Sequence, residues 1–344
     1  MKNAAIFGAS GYTGAEAVRL LLLHPHINIK ALSANRRADE DYADVFANFA
    51  GQALPKTQTI DEIDLSDIDV VFSCLPHSTG QTAIRAALEQ VDTVIDVSAD
   101  FRLSDPKLFE DVYGAPHSQP ALLTDRVYGL TEFARERLPG ARLVACPGCF
   151  PTCALLALLP GVEAGALREN TIIIDAKTGV TGAGRKATLG LHFSEVADGA
   201  HAYAVGKHRH TPEIEQELSR YGHAAQVSFT PHLVPMNRGM IATCYVELVG
   251  DTTVDALRAL YVDRYKDDPF VLVMPAGEIP QTRHVRGSNQ ARIAICADRV
   301  SGRAIIISVI DNLTKGSSGQ AVQNYNLTQG WDETLGLEMT ALFP

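Results

Sequence analysis

Cys149 stands in the run Ala145-Cys-Pro-Gly-Cys-Phe-Pro-Thr152, between a strand-like Leu143–Ala145 and an apolar, helix-like stretch from Thr152 to Leu159. A cysteine at a helix N-terminus meets unpaired N–H groups and the positive end of the dipole, which favour the thiolate. The same N–H groups suit the oxyanion that forms when a thiolate attacks a carbonyl carbon. Cys146 and Cys149 also make a C-x-x-C. A zinc site would want a second close pair of Cys or His, whereas Cys244 and Cys296 stand singly in strand-like runs. A dithiol redox pair is the other alternative, and it leaves the glycine-rich N-terminal turn unexplained. Cys153 reads as core.

Two imidazoles occur in His208-Arg-His-Thr-Pro-Glu213. Imidazole titrates near neutrality and can act as base and then as acid. The proline reads as the first residue of a helix. In an extended segment residues 208 and 210 face the same side, so both are acid–base candidates, His208 being preferred. Glu213 either orients a neighbouring imidazole or complements the helix N-terminus.

Directly after the first strand comes Gly8-Ala-Ser-Gly-Tyr-Thr-Gly14, followed by a helix. Strand, glycine turn and helix are the context in which a dinucleotide pyrophosphate binds, here through Gly8, Ser10, Gly11, Tyr12, Thr13 and Gly14. The spacing is G-x-x-G-x-x-G rather than G-x-G-x-x-G, and a plain βα turn is the alternative. The second strand ends Leu32-Ser-Ala-Asn-Arg-Arg37, with no carboxylate before Asp39. Ser33, Arg36 and Arg37 suit a ribose 2′-phosphate, hence NADPH, unless the two arginines are only a solvated pair. A further loop, Gly179-Val-Thr-Gly-Ala-Gly-Arg-Lys186, could form backbone nests for an anion through Gly182 and Arg185, or serve as a mobile connection.

These residues need a scaffold. Ala4–Phe7, Ile27–Leu32, Val70–Ser73 and Thr93–Val97 read as strands, and Thr13–Leu23 and Gln81–Leu88 as helices. The alternation predicts a parallel sheet covered on both faces. After about residue 150, strand-like runs at Thr171–Ala176, Ala225–Thr230, Ile241–Val249, Ala291–Ala297 and Ala304–Ile310 predict a mixed sheet. Thr252 and Asp255 open a helix ending near Tyr265 with a capping-box-like start, and Ser317–Leu327 reads as a last helix returning to the first domain.

The 344 residues are too many for one ordinary core and suit two domains. The formal net charge of −10 excludes a nucleic-acid surface, although a few arginines in one pocket still suit a small anion. Six cysteines without scaffold spacing point to a reducing compartment. With no signal-like segment and no apolar run longer than Cys153–Leu159, the expectation is a cytoplasmic protein without a membrane span. His24 and His26 bracket Pro25 in a turn and read as solvated. His192, His201, His223, His232 and His284 have no ligand spacing, so no metal is expected.

Gly8-Ala-Ser-Gly-Tyr-Thr-Gly-Ala-Glu16, Val97-Ser-Ala-Asp-Phe-Arg-Leu103, Pro147-Gly-Cys-Phe-Pro-Thr152, His208-Arg-His-Thr-Pro-Glu213 and Gly316-Ser-Ser-Gly-Gln-Ala-Val-Gln323 follow in order along essentially the whole chain. Together they resemble the longer, type 1 form of the N-acetyl-gamma-glutamyl-phosphate reductase family, related to aspartate-semialdehyde and glyceraldehyde-3-phosphate dehydrogenases. That family usually carries Asn where Cys146 stands here.

The resemblance implies an α/β protein. Residues 1–148 and about 315–344 would form a Rossmann domain binding NADP, and residues 149–314 an α+β catalytic, substrate and oligomerisation domain with a mixed sheet. It implies NADPH-dependent reduction of N-acetyl-gamma-glutamyl phosphate to N-acetyl-glutamate 5-semialdehyde, with release of phosphate, in arginine biosynthesis. A thioester on Cys149 would divide that reaction into two easier steps. By the same resemblance Arg102 and Ser98 contact substrate, Arg102 otherwise pairing with Asp100 or Asp105. Pro76, His77, Asn312 and Gly316 line the cofactor, with Lys315 and Gln320 in the same C-terminal stretch, and the protein is a homo-oligomer, dimer or tetramer. The rivals are the same chemistry on aspartyl or aminoadipyl phosphate, and a non-catalytic NADP-binding regulator.

Overall fold

The computed structural model describes residues 1–222 and 224–343, so His223 lies outside the described residues. The chain divides into two compact units: Met1–Pro147 with Ser317–Glu338, and Gly148–Gly316 with Met339–Pro344.

The first unit is built on a seven-stranded sheet in the order β3-β2-β1-β4-β5-β7-β6. Its strands are β1 (Lys2–Phe7), β2 (Ile27–Ser33), β3 (Thr57–Gln58), β4 (Val70–Ser73), β5 (Thr93–Asp96), β6 (Val127–Tyr128) and β7 (Leu143–Ala145). Every neighbouring pair is parallel. Val70–Ser73 and Thr93–Asp96 are buried throughout, which is why these strands read as continuous apolar runs. The strand order reverses at β1, so the crevice beyond the ends of β1 and β4 is the place where such sheets take ligands.

The second unit carries a seven-stranded mixed sheet, β12-β13-β14-β11-β8-β10-β9. It comprises β8 (Ile172–Gly179), β9 (His201–Ala202), β10 (Val227–Val234), β11 (Met240–Glu247), β12 (Val271–Val273), β13 (Ala291–Ala297) and β14 (Arg303–Ile310). Along β8, Ile172, Ile174 and Ala176 are buried, while Ile173, Asp175 and Lys177 alternate on the more open face. The buried face packs against the helix Cys149–Glu163, in which every residue from Phe150 to Val162 is buried. Pro160 has no N–H to give the carbonyl of Leu156. The hydroxyl of Tyr265 donates to that carbonyl at 2.7 Å, and Tyr261, one turn earlier, donates to Ala157 at 2.6 Å.

Two boundaries differ from expectation. The helix Val254–Tyr265 is capped by Thr253, whose hydroxyl accepts from the Ala256 amide at 3.2 Å. Thr252 instead donates to the carbonyl of Val249, so it belongs to the preceding turn. The last helix begins later than its sequence suggests. A π-helical turn, Thr314–Ser318, precedes the α-helix Gly319–Thr328, and Gly316 N–H within it reaches back five residues to the carbonyl of Asp311.

His24 is a correction of a different kind. It is buried rather than solvated: its Nε2 lies 2.8 Å from Asn326 Oδ1, its ring packs on Trp331, and burial lowers its pKa. The partners come from the returning C-terminal segment, some 300 residues away. His26 is exposed, as expected.

Candidate active site

In the first unit the Gly8–Gly14 turn is shaped by what its glycines exclude. A Cβ at Gly8, whose φ is +78°, would meet the carbonyl oxygen of Cys74 at 2.5 Å. One at Gly14 would meet the oxygen of Gly8 at 2.5 Å, so the helix Tyr12–Leu21 can approach the strand only without side chains there. At Gly11 the nearest atom would be 3.6 Å away, and Gly11 brings no capping side chain to the helix. The resulting open backbone at a helix N-terminus fits a pyrophosphate.

Ser33 ties the end of β2 to this turn. Its hydroxyl accepts from Gly8 N–H and its carbonyl from Ala9 N–H, both at 2.8 Å. Tyr42 Oη donates to the carbonyl of Ala9 at 2.7 Å. The two arginines separate. Arg37 Nε and Nη2 grip the Glu40 carboxylate, which holds that carboxyl below its usual range, and Nη2 also reaches the carbonyl of Asp44. Arg36 is exposed and makes no ion pair among the described residues.

Beyond β4 and β5 a buried polar network organises the loops. Asp96 Oδ2 accepts from the Ser98 hydroxyl at 2.8 Å, and Ser98 Oγ accepts from Asp100 N–H at 3.1 Å. The Asp100 carboxylate accepts from Ser78 N–H and Gly80 N–H, holding Ser78 at φ +61°. Burial, then the charge of Asp100, pushes the Asp96 carboxyl up to about 7. Ser98 is therefore committed to the Asp96 carboxylate and the Asp100 amide. Arg102, also buried, donates from Nε to the carbonyl of Cys146 and from Nη2 to that of Val97, both at 2.8 Å. Pro76 and His77 are exposed on the same loop, His77 lying 5.5 Å from the Tyr113 ring. Cys146 is buried, accepts from Asn324 Nδ2 at 3.6 Å, and burial pushes its thiol up to about 12.

In the second unit Cys149 is half-buried and is the first residue of its helix. The N-cap, Gly148, brings no capping side chain, and its own N–H donates to Glu213 Oε1 at 2.9 Å. Glu213, only 1% exposed, thus holds the residue before the cysteine. Gly316 closes in from the other direction: a Cβ there would lie 2.9 Å from Cys149 Cβ.

The two histidines lie in a turn, not an extended segment, and His210 is the N-cap of the helix Thr211–Leu218, with Pro212 second rather than first. Their rings are 4.8 Å apart, and both stand edge-on to Phe150, the neighbour of Cys149. His208 is enclosed by Phe150, Tyr203 and Phe229 at 5.3 to 5.5 Å, and its Nδ1 accepts from His210 N–H at 3.1 Å. Burial, then the Arg209 charge, pushes its pKa down to about 4. His208 is therefore neutral at neutral pH.

Asn312 Oδ1 accepts from Gly239 N–H at 2.8 Å and its Nδ2 donates to Thr181 Oγ1 at 3.0 Å, fastening the loop that carries Gly182 and Arg185. Gly182 and Arg185 are exposed. Lys315 and Gln320 are fully buried. All six cysteines are free, and no metal-holding cluster of His, Cys, Asp or Glu occurs among the described residues. No helix there is long and apolar enough to cross a membrane. Sequence reading missed Asp96, Asp100, Tyr42 and Phe150. Only the carboxylates bracketing Ser98 offered a signal.

The profile described as "Semialdehyde dehydrogenase, NAD binding domain" matches residues 3–141, and "Semialdehyde dehydrogenase, dimerisation domain" matches 149–312. The chain is 50% identical to the N-acetyl-gamma-glutamyl-phosphate reductase of Afipia carboxidovorans, over 99% of this chain and 98% of the relative. It is 50% identical to that of Rhodospirillum rubrum, covering 99% of each. It is 48% identical to a probable chloroplastic N-acetyl-gamma-glutamyl-phosphate reductase of Arabidopsis thaliana, over 98% of this chain and 84% of the relative. The fold is shared with aspartate semialdehyde dehydrogenase II of Vibrio cholerae, at a TM-score of 0.73 and 18% identity, covering 95% of this chain and 98% of that one. The chain belongs to the N-acetyl-gamma-glutamyl-phosphate reductase family, within the semialdehyde dehydrogenases.

Proposed function

We propose that this chain reduces N-acetyl-gamma-glutamyl phosphate to N-acetyl-glutamate 5-semialdehyde with NADPH, releasing phosphate, through a thioester on Cys149, as a step of arginine biosynthesis. The observation that carries the reading is Cys149 at a helix start, its N-cap held by Glu213 and two imidazoles packed on the next residue, Phe150.

His210 takes the proton of Cys149, and the thiolate attacks the acyl carbon. The helix N-terminus stabilises the oxyanion, the acyl C–O bond to phosphate breaks, and phosphate leaves. NADPH, when bound, supplies the hydride that reduces the thioester carbonyl. His210 then gives its proton to the carbonyl oxygen and recovers it as the thiohemiacetal collapses to aldehyde and thiolate. His208 fixes the His210 segment, and Glu213 fixes the cysteine loop. Gly182 and Arg185 are assigned to the substrate's anionic groups. Arg102 acts by holding the Cys146 carbonyl, and Asn312 by anchoring the Gly182 loop.

The first unit is the cofactor-binding domain. The Gly8–Gly14 backbone takes the pyrophosphate, and Ser33 with Arg36 takes the 2′-phosphate; His77 is assigned to the cofactor as well. Because Glu40 occupies Arg37, Arg36→Ala is expected to weaken NADPH about 10- to 100-fold with little effect on NADH, and Arg37→Ala much less. Titration of both nucleotides against each variant checks this, and equal losses for NADPH and NADH would refute the assignment.

The protein acts as a homo-oligomer in the cytoplasm. The more open face of the second sheet, with Ile173 and Tyr245 49% and 37% exposed, is the surface offered to a second copy.

The deciding assay runs the reaction backwards: phosphate-dependent reduction of NADP⁺ with N-acetylglutamate semialdehyde, beside aspartate semialdehyde. Turnover with the first alone is expected. Turnover with aspartate semialdehyde alone would reassign the substrate, and turnover with neither, by a protein that binds NADPH, would overturn the proposal.

A further inference from the structure

Asp311 follows β14 and is fully buried. Its carboxylate collects donors from three directions. Oδ1 accepts from Leu313 N–H at 2.9 Å and Thr314 N–H at 3.1 Å, Oδ2 accepts from Gly287 N–H at 2.7 Å, and Arg238 Nη1 stands 3.4 and 3.5 Å from the two oxygens. Its carbonyl accepts from Gly316 N–H at 2.9 Å, a bond spanning five residues that ends inside the π-helical turn Thr314–Ser318. Buried amides cost free energy when unpaired, so this carboxylate leaves the Leu313–Gly316 turn one way to lie.

That turn is packed against the thiol-bearing residue. A Cβ at Gly316 would meet Cys149 Cβ at 2.9 Å, Ile310 Cδ1 at 3.1 Å and the carbonyl oxygen of Asp311 at 3.3 Å. Any relaxation of the turn therefore acts first on Cys149. Asparagine at 311 would keep the shape but offer one acceptor oxygen and set an NH₂ group against amide donors. π turns interrupting helices are often found at functional sites.

We propose that Asp311 is a positioning residue for the reaction: it holds the Leu313–Gly316 turn against Cys149 and so fixes where the nucleophile stands. The proposal rests on Cys149 being the nucleophile, and its test reads the thiol directly.

The experiment follows alkylation of Cys149 by iodoacetamide as a function of pH, by peptide mass spectrometry on the full-length protein, together with steady-state kinetics. Asp311→Asn is expected to move the pH midpoint of Cys149 alkylation by about half a unit or more. It should lower kcat about 10- to 100-fold while the KM for NADP⁺ changes less than about threefold. A midpoint within about 0.2 unit of the wild type overturns the proposal, because the thiol would then stand in an unchanged environment. If Asp311→Asn does not fold, Gly316→Ala supplies the same reading, since its methyl loads the turn against Cys149 with every Asp311 bond retained. An unmoved midpoint there overturns the proposal equally. Failure of the nucleophile assignment is distinguishable: Cys149→Ser would then keep turnover, whatever the alkylation midpoints show.

Discussion

Replacing Cys149 by serine is expected to lower turnover at least about a thousandfold while NADPH affinity stays within about twofold. A serine hydroxyl is nearly isosteric but far less acidic than a thiol, so the acyl phosphate meets a weak nucleophile and a poor thioester analogue. Little else should change. Gly148 N–H keeps its bond to Glu213, and the Gly8–Gly14 turn belongs to the other compact unit with its own hydrogen bonds to Ser33. Steady-state rates and a fluorescence titration with NADPH check both halves of the expectation. Retained turnover would sink the covalent mechanism, and lost NADPH binding would mean that the substitution had disturbed more than the thiol.

The second large effect separates the histidines. His210→Asn is expected to lower kcat about 100- to 1,000-fold, within the range of general acid–base catalysis. His208→Asn should cost about tenfold or less, because the His208 ring is already neutral above about pH 4. His208 should appear in stability instead. Its folded pKa lies below the unfolded value of 6.5, so between about pH 6.5 and pH 4 the unfolded chain binds the extra proton. Stability falls as pH drops through that window, and His208→Asn should flatten the slope. A kcat–pH profile for each variant and urea unfolding at pH 4.5 and 7 decide the matter; a larger kcat loss at 208 than at 210 would reverse the roles.

Where one residue type dominated its surroundings, the sequence was legible. Gln81–Leu88, Leu143–Ala145 and Ala291–Ala297 have the bounds their patterns suggest, because apolar runs and helical spacing alone decide them. Other ends moved by several residues where pairing carried a polar residue along: β8 runs on through Lys177 and Thr178 beside His232 and Leu233 of β10. The placement of Cys149 at a helix start, the glycine turn and the closeness of the two histidines were legible because each is set by local sequence. Roles set by distant partners were not. Nothing near His24 announces Asn326 and Trp331, and nothing near Asp100 announces that its carboxylate serves Ser78 and Gly80. Arg37 is the instructive case: Glu40 three residues on was in plain view, and the pair sits at a spacing that side chains can bridge.

The bond from Gly148 N–H to Glu213 has a mechanical consequence. Glu213 lies in the first turn of the helix capped by His210, and Gly148 caps the helix begun by Cys149. A displacement of either helix start pulls on the other through this bond, and in the mechanism proposed above those two ends carry the base and the sulfur. Proton transfer is sensitive to their separation and indifferent to their joint travel, so under that mechanism the buried carboxylate serves as a tie rod.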